Sequence, residues 1–119
     1  MISQKENKVI YLIAGEPSGD ILGANLMRSI YELTDHEIEI IGIGGPKMNE
    51  QGLLSLFPIT ELSVMGLTEI IPLIPKLLKR IDQTVDHIIR KKPDLVITID
   101  APDFCFRIVK KLNKLKIPL

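Results

Sequence analysis

At 119 residues, with 45% hydrophobic and 25% charged side chains, the chain is long enough for one compact core and too short for two, and its composition excludes a disordered or fibrous protein. Fifteen lysines and arginines balance fifteen aspartates and glutamates, so no net field draws the molecule toward nucleic acid, although a balanced total still permits a local patch. The single cysteine, Cys105, cannot close an internal disulfide, and the polar start lacks the apolar core of a signal peptide, which points to a reducing, cytoplasmic setting.

Val9 to Ala14 is a short continuous apolar run closed by Gly15, the pattern of a parallel strand buried on both faces. After the loop Gly15 to Asp20, the residues Leu22, Leu26, Ile30 and Leu33 recur at helical spacing and predict a helix with those side chains inward. Ile38 to Ile43 predicts a second strand, ended by Gly44-Gly45-Pro46 and parallel to the first because a helix intervenes. A short helix is expected over Pro46 to Gln51, stopped by Gly52, and a short strand over Leu53 to Phe57.

From Leu67 to Lys92 the pattern is helical, with Leu77, Leu78, Ile81, Val85, Ile88 and Ile89 as the apolar stripe, and Pro72 and Pro75 should divide it into two pieces. Arg90-Lys91-Lys92 followed by Pro93 is a helix stop. Leu95 to Ile99 reads as a strand, and Phe104, Ile108, Leu112 and Leu115 as the inner face of another helix. The apolar Ile117-Pro118-Leu119 should open a further strand, so the chain is expected to be truncated. The alternation predicts an α/β fold, a Rossmann-like parallel sheet with flanking helices.

Ligands of such sheets bind beyond the C-terminal strand ends, which makes three loops candidates: Gly15 to Asp20, Gly42 to Pro46 and Asp100 to Asp103. The first places two glycines, a hydroxyl and two carboxylates at a strand-to-helix turn. Either its amides receive a phosphate or sugar hydroxyl, or Ser18 or Asp20 caps the helix. Glu16 has no capping role that the pattern assigns. Asp103 fits an N-cap, whereas Asp100 stands where an active-site base would stand, with a structural carboxylate binding backbone amides as the open alternative.

Gly44-Gly45 is explained by a tight connection. Neither His36 nor His87 has ligand spacing to the other or to Cys105, so no metal site is expected. The first loop lacks G-x-G-x-x-G, which disfavours a dinucleotide enzyme. No stretch reaches the roughly 18 apolar residues of a membrane span. Val64 to Pro75 is nonetheless strongly apolar and is followed by Lys76, Lys79 and Arg80, which suits either an anionic membrane interface or an ordinary core helix with a basic outer face.

Taken together, Ala14-Gly15-Glu16-Pro17-Ser18-Gly19-Asp20, Gly42-Ile43-Gly44-Gly45-Pro46-Lys47-Met48, Val64-Met65-Gly66-Leu67-Thr68-Glu69 and Ile99-Asp100-Ala101-Pro102-Asp103-Phe104 resemble, in order and spacing, the N-terminal motifs of the lipid-A-disaccharide synthase family. The resemblance implies a two-domain inverting glycosyltransferase of Gram-negative bacteria, peripheral to the inner membrane, working without a metal or other cofactor. Residues 1–119 would be an incomplete acceptor-side domain, with the C-terminal nucleotide-sugar domain absent. Its partners would be UDP-diacylglucosamine as donor and diacylglucosamine 1-phosphate as acceptor, with UDP released.

On the same grounds Asp100 is the first candidate for the catalytic base, and Glu16 the second or an acceptor-orienting carboxylate. Gly15, Ser18, Gly19, Asp20, Gly44 and Gly45 would bind substrate, and Met65 with its apolar segment would cover acyl chains. Without its second half the chain is expected to be inactive. The alternative is a small Rossmann-like binding or interaction module without catalysis.

Overall fold

The computed structural model describes residues 8–62 and 74–114, in which β1 (Lys8–Ile13), β2 (Ile38–Ile43) and β3 (Leu95–Thr98) form one parallel sheet in the order β2-β1-β3. Leu12 is in register with Gly42 on one side and Ile97 on the other. The central strand is the most apolar, and Tyr11, Leu12 and Ile13 are wholly buried, as a strand covered on both faces requires.

Alternation along β1 sorts the core into two layers. Ile10, Leu12 and Ala14 pack with Ala24 and Met27 of α1 (Pro17–Thr34) and Met48 of α2 (Pro46–Glu50). Tyr11 and Ile13 pack with Ile81, Val85 and Ile88 of α3 (Ile74–Lys91) and with Phe104, Ile108 and Leu112 of α4 (Pro102–Asn113). Helices thus cover both faces of a parallel sheet, the Rossmann-like arrangement that strand and helix alternation predicts. Gly42 lets β2 sit this close to β1: its φ is +139°, and a Cβ there would stand 2.1 Å from Leu12 O.

Helix α1 turns a different face inward from the one its leucines suggest. Leu22 and Leu33 are exposed and Leu26 and Ile30 only half-buried, whereas Gly19, Asp20, Gly23, Ala24 and Met27 are buried. The small residues allow the helix backbone to approach the sheet and Met48, which fixes its rotation more firmly than the larger side chains do. In α3 the buried stripe is Ile81, Val85 and Ile88, while Leu78 and Ile89 are exposed. The expected strand at Leu53 to Phe57 reduces to a single bridge between Ser55 and Gly42. Met65, most of the Val64 to Pro75 segment, its proposed division at Pro72, and Leu115 lie outside the described residues.

Asp103 is not the cap of α4. Pro102 occupies the first helical position, Ala101 is the N-cap residue with φ 55°, and no side chain caps the helix. A proline with its preset φ starts the helix two residues earlier than an Asp103 cap would.

Candidate active site

The chain leaves β1 for β2 on one side and returns to β3 on the other, so the loops after β1 and β3 diverge to opposite faces of the sheet. A crevice at the carboxyl ends of adjacent strands is where open α/β sheets bind ligands. Asp100 and the Gly15–Glu16 turn meet there. Asp100 Oδ1 accepts the Gly15 amide at 2.5 Å, and Oδ2 accepts the Glu16 amide at 3.2 Å. Gly19, in the first turn of α1, lies directly against this carboxylate: a Cβ there would fall 1.8 Å from Asp100 Oδ2.

Asp100 is half-buried; an opening of about 360 Å³ borders it on the side of β3 and α4, lined by Thr98, Ile99, Pro102, Cys105, Phe106 and Val109 and by no residue of the Gly15 to Asp20 loop. Two main-chain donors hold the carboxylate, yet each oxygen retains a lone pair for a further donor. The loop carries local strain, since Ala101 is a non-glycine residue in the left-handed region. Cys105 Sγ donates to Asp100 O at 3.0 Å. Burial, and then the Asp100 charge, pushes its thiol up to about 12, so it is an inert packed thiol.

Glu16 occupies the N-cap position of α1 with no side-chain capping bond, and its carboxylate is exposed without a partner among the described residues. Ser18 is exposed on the same turn. Asp20 does something different. It is 2% exposed, and its oxygens accept the amides of Gly45, Lys47 and Met48, each at 2.9 Å. It therefore caps α2 from a neighbouring helix and clasps the β1 and β2 loops together. That role spans 25 to 28 residues and leaves no local trace in the sequence. Gly45 spends its amide on Asp20, and Gly44 donates to Ser55 Oγ at 3.0 Å.

Both histidines are engaged with tyrosines. His87 Nδ1 pairs with buried Tyr11 Oη at 2.7 Å, and His36 stacks on Tyr31. Among the described residues no group of three or more His, Cys, Asp or Glu could hold a metal, and no helix is long and apolar enough to cross a membrane.

The sequence model for lipid-A-disaccharide synthetase matches residues 10–119. Among similar proteins, the lipid-A-disaccharide synthase of Rhodospirillum centenum is 52% identical over 106 residues, covering 89% of this chain and 26% of the relative. That of Paramagnetospirillum magneticum is 50% identical over 93% of this chain and 28% of its own length. That of Rickettsia bellii is 48% identical, with 90% and 28% covered. The chain spans about a quarter of the length of these curated relatives. With the loops after β1 and β3 meeting at the switch point of a parallel sheet and a family match over nearly its whole length, the chain belongs to the lipid-A-disaccharide synthetase family.

Proposed function

We propose that this chain forms the acceptor-side part of a lipid-A-disaccharide synthase, a glycosyltransferase. The observation that carries the reading is the meeting of the Glu16 and Asp100 loops in the switch-point crevice of a chain of this family. The acceptor is diacylglucosamine 1-phosphate and the donor UDP-diacylglucosamine. Asp100 takes the proton of the acceptor's 6'-hydroxyl as its oxygen bonds to the donor's anomeric carbon. The bond from that carbon to the diphosphate breaks, its electron pair leaves on UDP, and the configuration inverts.

The half-buried position of Asp100 at the end of β3, held by the amides of the adjoining turn, supports this role, because a base must reach the hydroxyl while its own geometry is held. Exposed Glu16 on the adjoining turn would orient the acceptor, with Gly15, Ser18 and Gly19 around it. Asp20, Gly44 and Gly45 support the site from behind, since their polar groups are already engaged. The leaving diphosphate needs donors from a nucleotide-sugar domain, so the 119 residues alone should not turn over substrate. Met65 and the Val64 to Pro75 segment would cover acyl chains and hold the protein peripherally at the inner membrane.

One observation favours a second reading: both oxygens of Asp100 already accept main-chain amides, as a purely structural clasp would. Titration of the chain with diacylglucosamine 1-phosphate separates the two. The transferase reading expects saturable binding that weakens about tenfold in Glu16→Gln, the loss of one charge-assisted hydrogen bond. Equal or absent binding in parent and variant would favour the non-catalytic module.

A further inference from the structure

A groove of about 380 Å³ runs between α3 and α4, floored by Leu78 and Ile81 and walled by Asp82, Arg107, Lys110, Lys111 and Lys114. The chain's total charge is balanced, so four cations against one carboxylate is a local concentration. Lys111 is paired with Asp82 at 3.3 Å. Arg107, Lys110 and Lys114 have no ion pair or hydrogen bond among the described residues. Arg107 and Lys110 stand three apart on α4, and Lys114 follows four later at its C-cap. Compensation of the helix dipole accounts for Lys110 and Lys111 in the last turn, and it leaves Arg107, a turn earlier on the same groove, unexplained.

We infer that this groove docks the headgroups of anionic phospholipids. The inference rests on the reading of the chain as a peripheral membrane protein and adds to it a specific contact surface. Arg107 presents a fork of donors suited to phosphate oxygens, and the two free lysines add charge beside it. Leu78, 45% exposed and lining the same groove, gives an acyl chain or glycerol backbone an apolar neighbour that a free phosphate ion would not need.

The whole chain is tested by co-sedimentation with vesicles of phosphatidylglycerol and phosphatidylcholine, and with vesicles of phosphatidylcholine alone. Preferential binding to the anionic vesicles is expected, with a loss of about 100-fold in R107Q/K110Q/K114Q, since each cation near an anionic surface contributes roughly fivefold. Asp82→Asn frees Lys111 and should raise binding by about fivefold. Circular dichroism melts of both variants should match the parent, because every altered side chain is exposed. Equal binding to both vesicle types, or unchanged binding in the triple variant, overturns the groove while sparing membrane association. No binding to any vesicle overturns both. Displacement from vesicles by millimolar inorganic phosphate would assign the groove to a free anion instead and overturn the lipid assignment.

Discussion

Gly19 of α1 lies against the carboxylate of Asp100 at the end of β3 with no room for a methyl group, since a Cβ at Gly19 would stand 1.8 Å from Asp100 Oδ2. The closeness sets where the acid can sit: the first turn of α1 on one side, the amides of Gly15 and Glu16 on the other.

Gly19→Ala therefore tests a conflict of known sign. Alanine gains about 1 kcal/mol of helix propensity, but the overlap with Asp100 should cost about 3 kcal/mol, leaving a net loss near 2. Denaturant unfolding measures it. Combined with Asp100→Ala the two losses should be less than additive, because the second substitution removes the atom that clashes.

Asp20→Ala should lose about 3 kcal/mol in the same assay, since the three amides at the start of α2 lose a charged acceptor in a place closed to water. Asp20→Asn keeps one carbonyl acceptor and should lose less. A surface-like change below about 0.5 kcal/mol would refute the clasp.

His87 predicts a pH dependence. Burial, followed by the charges of Arg90 and Lys91, lowers its pKa from the ordinary 6.5. The unfolded chain therefore takes up the proton first. The stabilising contribution is whole above about 6.5 and declines as pH falls through the window between the unfolded and the lower folded value. Chemical unfolding between about pH 5 and 8 should show that decline in the parent, and a shallower one in His87→Gln.

How much of this was legible depends on whether a residue's role is local. The strand of Ile38 to Ile43 has the predicted bounds, and the core stripes Ile81, Val85, Ile88 and Phe104, Ile108, Leu112 follow from spacing, because periodic burial leaves a periodic pattern. The leucines of α1 point to the wrong inward face, since the glycines and alanine that set it carry little hydrophobic signal. Ser55 bridges to Gly42 without becoming part of a strand, a tertiary outcome that a short apolar run cannot reveal. Asp100 at a strand end was recognisable from its position. Asp20 was not, as its acceptors' partners lie on another helix far along the chain.

The central claim is that the Asp100 carboxylate performs the proton transfer at the crevice. It is tested most directly by Asp100→Asn at the matching position of a complete relative, assayed for transfer at a temperature where circular dichroism finds parent and variant equally folded. Turnover should fall by about two to four orders of magnitude, the contribution of a general base. Turnover equal to the parent's in the folded variant would contradict the claim and leave Asp100 as the clasp between β3 and α1.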